Sequence, residues 1–191
     1  MLIVGLGNPG KQYEKTVHNV GFMAVDLLMD KLGLKAKEKG CQAVHSSSYA
    51  GGEKLIVAKP QTYMNLSGES VKQLIGANKI DVDNIIIVYD DIDLPMGTIR
   101  IRKEGSAGTH NGMRNIVQEL GTTNFKRIRV GVGDERGRMA LRDYVLSNIV
   151  GEKKQVLDKV LAKVVEALEE WINTRDFELV MRKYNGVVKI D

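Results

Sequence analysis

Short apolar runs bounded by turn residues alternate along this chain with longer segments of helical period. Residues 2–6 read as a buried strand, closed by Gly7-Asn8-Pro9-Gly10. From 20 to 32, Val20, Met23, Ala24, Leu27, Leu28 and Leu32 fall on one helical face, with Gly33 as a stop. Residues 54–58 predict a second strand, ended by Pro60, and 66–75 a helix. The run Ile85-Ile86-Ile87-Val88, within 84–89, is strongly β-branched and predicts the central strand. Thr98-Ile99-Arg100-Ile101-Arg102 alternates with period two, so one of its faces is expected to be solvated. A helix over 112–120 stops at Gly121, and a strand follows at 125–132. Val156, Leu157, Val160, Leu161, Val164, Leu168 and Ile172 then form the clearest helical stripe in the chain.

Strands alternating with helices predict an α/β fold, a three-layer sandwich with a mixed, mostly parallel twisted sheet flanked by helices. The alternating segment at 98–102 supplies the antiparallel component, and the polar stretch 36–52 reads as an excursion with a hairpin. A chain of 191 residues suits one core, so a single domain over 1–191 is expected. Cys41 is the only cysteine, which excludes an intrachain disulfide and argues against a cysteine-based metal site. No signal-peptide pattern opens the sequence, and no run approaches the roughly 20 apolar residues of a membrane span. A soluble cytoplasmic protein is expected. The net charge of +4 permits an acidic partner without demanding one. The positive excess gathers between 121 and 150, where Lys126, Arg127, Arg129, Arg136, Arg138 and Arg142 face three acidic residues. The default for the arginines at 127–142 is a solvated face.

In open α/β sheets, sites form beyond the carboxyl ends of the strands. That rule collects Asn8 and His18 after the first strand, and Tyr63, Met64 and Asn65 after the second. It adds Asp90, Asp91 and Asp93 after the isoleucine run, and His110-Asn111 after a Gly-rich turn. These residue types suit attack by water on an ester. A histidine can take the water's proton near neutral pH, and a carboxylate can hold its other ring nitrogen in the right tautomer. Carboxamides can donate to a tetrahedral oxyanion. Asp90, first after the strand, is the most rigidly placed carboxylate. Ester hydrolysis needs neither a metal nor a cofactor in principle, and no G-x-S-x-G elbow offers a serine nucleophile. Plainer roles compete. His110 has the same claim as His18 but sits in a turn where backbone matters. Asn65 and Asn111 each precede a helical segment and would make good N-caps. Asp91 and Asp93 suit a strand-end turn, and His45 reads as exposed and inert.

Two rivals come from other classes. Gly5-Leu6-Gly7-Asn8-Pro9-Gly10 matches the G-x-G-x-x-G dinucleotide fingerprint, which would imply a nicotinamide oxidoreductase. The fingerprint should open a helix, however, and here the helical period begins later. The second strand also runs into Lys59-Pro60-Gln61 instead of an acidic ribose ligand. A pure RNA-binding module would need a basic face but no histidine–carboxylate pair.

The ordered set of motifs resembles bacterial peptidyl-tRNA hydrolases over nearly the whole chain. It is carried by Val4-Gly5-Leu6-Gly7-Asn8-Pro9-Gly10, Tyr13 and His18-Asn19-Val20-Gly21. It continues through Lys59-Pro60-Gln61-Thr62-Tyr63-Met64-Asn65-Leu66-Ser67-Gly68 and Tyr89-Asp90-Asp91-Ile92-Asp93-Leu94-Pro95-Met96-Gly97. Gly105-Ser106-Ala107-Gly108-Thr109-His110-Asn111-Gly112 and Phe125-Lys126-Arg127-Ile128-Arg129-Val130-Gly131-Val132-Gly133 complete it. The resemblance implies His18 as general base, Asp90 as its partner, and Asn8 as the group that separates N-blocked from free aminoacyl esters. It implies that Tyr13, Tyr63, Asn65 and Asn111 contact the acyl and terminal-nucleotide end, that Met64 lines the cleft, and that Arg102 and Arg129 face phosphates. The implied partner is the acceptor end of peptidyl-tRNA, with no metal, no cofactor, no membrane and no obligate protein partner, and a monomer. One departure is Thr109, where many members carry glycine. Its side chain is expected to crowd the turn or alter the pose of Asn111.

Overall fold

The computed structural model describes residues 1–189. In chain order the strands and helices are β1 (Leu2–Gly5), α1 (Val20–Lys31), β2 (Glu38–Gly40), β3 (Ala43–Ala50), β4 (Glu53–Pro60), α2 (Ser67–Asn78) and β5 (Ile85–Asp91). They continue as β6 (Thr98–Arg102), α3 (Asn111–Leu120), β7 (Lys126–Gly131), α4 (Leu141–Val145), α5 (Gly151–Thr174), α6 (Phe177–Tyr184) and β8 (Gly186–Val187).

The strands form one sheet in the order β2-β3-β4-β1-β5-β7-β6-β8. The four central strands β4, β1, β5 and β7 are parallel, whereas both flanks are antiparallel. The expectation of a mostly parallel sheet therefore holds for the centre only. Residues 36–52 fold as the predicted hairpin and add β2 and β3 at one edge. At the other, β6 turns back after a short loop and leaves room for β7 between itself and β5.

Period-two alternation in the central strands divides the core between two faces. Ile3, Val57, Ile86, Val88, Ile128 and Val130 pack with α1 and with the α5 stripe of Leu157, Val160, Leu161, Val164 and Leu168. Leu2, Val4, Ile56, Ile85, Ile87 and Tyr89 pack with Val71 and Leu74 of α2 and Met113 and Ile116 of α3. Both faces of β1, the middle of β4 and most of β5 are dry, so those sequences are continuous apolar runs, whereas β7 alternates and carries Arg127 and Arg129 on the face opposite Ile128 and Val130.

The same topology sorts the functional loops. β1, β4 and β5 end at one edge of the sheet, and the segments after them meet there. The segment after β6 does not obey that rule. β6 is antiparallel to β7, with Arg102 opposite Arg127 near the start of β7. The Gly-rich stretch therefore begins at the far edge, where the Gly105 amide bonds the Thr123 carbonyl at 3.4 Å. It then climbs across the face of β7 to deliver His110 and Asn111 at the carboxyl edge.

Candidate active site

Asp90 is the penultimate residue of β5 and is 2 % exposed. His18 lies on a 3-10 turn, Val17–Asn19, that leads directly into α1. Its Nδ1 stands 3.0 Å from both carboxylate oxygens of Asp90. His110 reaches the same carboxylate from above α3, with Nε2 3.1 Å from Oδ1. The two imidazole centroids are 4.9 Å apart.

Hydrogen bonds assign different tautomers to the two rings. The Met113 amide donates to His110 Nδ1 at 3.2 Å, so Nδ1 carries a lone pair and Nε2 donates to Asp90. His18 donates from Nδ1 to the same carboxylate, which leaves its Nε2 as the basic nitrogen. Burial pulls the His18 pKa down, but the charge of Asp90 and its hydrogen bond together reverse this and raise it above the ordinary value. Burial pushes the Asp90 carboxyl up, yet the two imidazoles outweigh that and hold it well below the usual carboxylate range. A carboxylate that stays ionised between two ring N–H donors suits support of an imidazolium formed at His18.

Asn8 is fixed from three directions. Its amide N–H donates to Asn19 Oδ1 and its carbonyl accepts from Asn19 Nδ2, both at 2.9 Å. Its own Oδ1 accepts from the Met64 amide at 2.8 Å. With Oδ1 engaged, the Nδ2 group is the part of Asn8 left to meet a ligand. Asn65 and Asn111 are exposed, and neither acts as the N-cap anticipated for it. Leu66 holds the cap position of α2 without a side-chain bond, and His110 caps α3. Both carboxamides instead line the cleft.

Tyr63 adopts φ 59 and ψ 162, a backbone conformation that is essentially a glycine's. The strain turns the chain so that the Met64 amide meets Asn8 while the Tyr63 ring projects, 55 % exposed, edge-on to Tyr13 at 6.4 Å. Thr109 is exposed at the cleft, and the left-handed residue of that turn is Gly108, at φ 57.

Every site residue named from sequence — Asn8, Tyr13, His18, Tyr63, Met64, Asn65, Asp90, Arg102, Asn111 and Arg129 — lines one cleft of about 680 Å³. Its second wall is the exposed face of β6 and β7, where Arg100 is paired with Arg129 and Arg102 with Arg127 across the strands. Like charges directly opposite repel, which marks this face for an anion. Arg102 is exposed, and Arg129 ion-pairs with Asp91, whose Oδ1 also accepts from the Asp93 amide. Arg127 departs from the expected solvated face, being 1 % exposed. His45 is likewise not fully exposed. Its side chain is 14 % exposed, its Nδ1 lies 3.5 Å from Glu38, and that nitrogen makes no hydrogen bond.

The dinucleotide reading fails on packing. A Cβ on Gly5 would come within 2.1 Å of the Gly21 carbonyl oxygen, and one on Gly7 within 2.6 Å of the Phe22 ring. These glycines let α1 close on the end of β1, and no helix begins at the fingerprint, because two 3-10 turns intervene before Val20. His18, Asp90 and His110 are the metal-type donors that converge, with ligand atoms within 4.8 Å among the described residues. A cation on His110 Nε2 would force its proton to Nδ1, against the Met113 N–H, so the hydrogen bonding opposes that role.

A histidine–carboxylate pair with carboxamides around it is chemistry suited to a hydrolase acting on an activated acyl group, here built on an α/β sandwich. The sequence model described as Peptidyl-tRNA hydrolase matches residues 2–190. The chain is 45 % identical over 185 residues to the peptidyl-tRNA hydrolase of Bacillus cytotoxicus, covering 97 % of this chain and 99 % of that one. It is 42 % identical over 187 residues to that of Staphylococcus saprophyticus, covering 98 % of each. The crystal structure of peptidyl-tRNA hydrolase from Acinetobacter baumannii superimposes with a TM-score of 0.91 at 31 % identity, covering 98 % of this chain and 95 % of that one. The chain belongs to the peptidyl-tRNA hydrolase family.

Several participants escaped the sequence reading. Asn19 and the Met64 amide orient Asn8, Met113 sets the His110 tautomer, and Asn115 Oδ1 ties α3 to the start of α2 through the Gly68 amide at 2.7 Å. Asparagines inside a motif carry a weak signal for such ties, and backbone donors carry none.

Proposed function

We propose that this protein hydrolyses the ester between a peptidyl group and the 3′ end of tRNA, returning free tRNA to translation. The observation that carries this reading is the His18 Nδ1–Asp90 contact at 3.0 Å in a cleft whose other wall is cationic. The acceptor end docks on the Arg102 and Arg129 face, chiefly through phosphates. His18 Nε2 takes a proton from water, and the water oxygen attacks the ester carbonyl. Carboxamide donors, Asn65 among them, hold the oxyanion. As the intermediate collapses, the bond to the 3′ oxygen breaks and His18 returns the proton to that oxygen. The products are tRNA and a peptide carboxylic acid, which then loses the water's second proton to solvent. Asn8 presents an N–H donor, which bonds the carbonyl of an N-blocked residue and repels a free ammonium. Tyr13 and Tyr63 supply aromatic surface for the terminal base, with Asn111 and Met64 beside the acyl chain.

We further read residues 1–191 as one domain that acts as a monomer in the cytoplasm, without metal or cofactor. Among the described residues, no helix is long and apolar enough to cross a membrane. The test is ester release from N-acetylated and from free aminoacyl-tRNA, with a chelator present. Rapid release from the first alone is expected. Equal rates on both would remove the Asn8 role, chelator sensitivity would remove the metal-free reaction, and binding without release would leave an RNA-binding module.

A further inference from the structure

Arg127 is the one cation in the β6–β7 arginine group that is withdrawn from solvent, at 1 % exposure. Arg102 and Arg129 border the cleft, Arg127 touches it only at its buried base, and by sequence alone the three look alike. The donors of Arg127 go elsewhere. Nη1 bonds the Gly105 carbonyl at 2.6 Å and the Ser106 carbonyl at 3.2 Å, and Nη2 bonds the Thr123 carbonyl at 2.7 Å. Nε lies 3.4 Å from the Phe125 carbonyl, and the guanidinium stacks on the Phe125 ring at 4.3 Å. A second guanidinium grips the same loop further on, where Arg114 Nε donates to the Gly108 carbonyl at 2.9 Å.

The held segment is the irregular one that leads from the far edge of the sheet, at Gly105, to the start of α3 at the carboxyl edge. Segments of this kind expose backbone carbonyls, and a rigid planar donor fork satisfies several at once. At its far end stand His110, which donates to Asp90, and Asn111, which lines the cleft. Tyr89 links the same parts from below. It is 3 % exposed, its hydroxyl lies beside the Arg127 guanidinium, and its ring packs on His110 with centroids 4.9 Å apart.

We propose that Arg127 is a positioning residue that fixes the Gly105–His110 loop over the cleft, assisted by Arg114, and that it takes no part in binding RNA phosphates. The proposal rests on the hydrolytic reading of the site. It separates two kinds of arginine that share one face: Arg102 and Arg129 facing the ligand, Arg127 facing the loop. A displaced loop misplaces His110 and Asn111, and small misplacements of reacting groups reduce turnover steeply.

The experiment compares wild type, His18→Ala, Arg127→Met, Arg127→Lys and Arg114→Met for kcat and KM on N-acetyl-aminoacyl-tRNA, for Kd of uncharged tRNA, and for amide exchange over 105–110. Arg127→Met is expected to lower kcat by about tenfold or more. The Kd for uncharged tRNA stays within about twofold, because no phosphate contact is lost, while exchange accelerates at 105–110. Arg127→Lys recovers part of the kcat, and Arg114→Met shows a smaller loss of the same kind. Wild-type kcat in folded Arg127→Met overturns the proposal, as does a loss expressed in tRNA affinity and its salt dependence. Should Arg127→Met fail to fold, the decision passes to Arg114→Met, where unchanged kcat and unchanged exchange overturn the shared clamp. Absence of hydrolysis by wild type would instead strike the functional reading, and loop exchange would still report on the clamp.

Discussion

On one wall of the cleft a single buried carboxylate draws two imidazoles to it, whereas the other is built from Arg102, Arg127 and Arg129 of β6 and β7, with few acids between them. The first wall is electrostatically complete. Asp90 accepts from both rings, His110 is locked by the Met113 amide, and only His18 retains a basic nitrogen. The second wall is incomplete without an anion, save where Asp91 engages Arg129 and main-chain carbonyls engage Arg127. On the proposed function the difference divides the labour: chemistry where the hydrogen bonds already close, and recognition where charge stays open. Variants on the first wall should therefore act on turnover, and variants on the second on affinity.

The largest effect is expected from His18→Ala, with kcat lowered by about 10²–10⁴ and tRNA binding kept. Retained turnover would leave His18 outside the mechanism and erase the distinction between the walls. Asp90→Asn comes next, with kcat reduced by about 10². Its pH profile is more diagnostic than its rate. Asp90 raises the His18 pKa, and on the proposed mechanism turnover requires neutral His18, so the wild-type acid limb should lie above the ordinary imidazole value near 6.5. Removing the carboxylate's charge leaves burial unopposed and should move that limb to lower pH. A limb that stays in place would show that another group sets it.

On the arginine wall, Arg102→Ala should weaken tRNA binding several-fold and reduce the slope of log affinity against log salt by about one, with kcat at saturation preserved. Arg129→Ala adds a loss of folding stability, because it strands the buried Asp91 carboxylate. The smallest effect sharpens the comparison from the rim. Tyr63→Gly relieves a strain of about 1–3 kcal/mol, against about 0.5–1 kcal/mol of added chain entropy. Urea unfolding should thus show a stability equal to wild type or higher by about 1 kcal/mol, while the activity that depends on the ring declines. A clear loss of stability would mean the strain is not there.

Much of this arrangement was legible beforehand, and the reasons are local. The β-branched run at 85–88, the alternation at 98–102 and the stripe from Val156 to Ile172 each report which sides of an element meet apolar matter. The strand-end rule brought His18, Asn8, Tyr63 and Asp90 to one edge because β1, β4 and β5 are parallel. It misdescribed the route of the Gly-rich loop because β6 is not. α6 and β8 went unread, being short and weakly patterned, and their places depend on α5 and β6.

The order of apolar and polar residues thus determined the layers of this protein, its strands and the residue types available for chemistry, since those follow from periodicity within a few turns of chain. Only the tertiary structure decided which histidine nitrogen keeps its lone pair, which end of the Asn8 carboxamide is engaged, and which arginine turns inward. Those outcomes depend on donors such as the Met113 and Met64 amides and on carbonyls such as those of Gly105 and Thr123. Backbone groups are the same in every residue but proline, so no spelling of side chains announces where they will point until the fold has placed them.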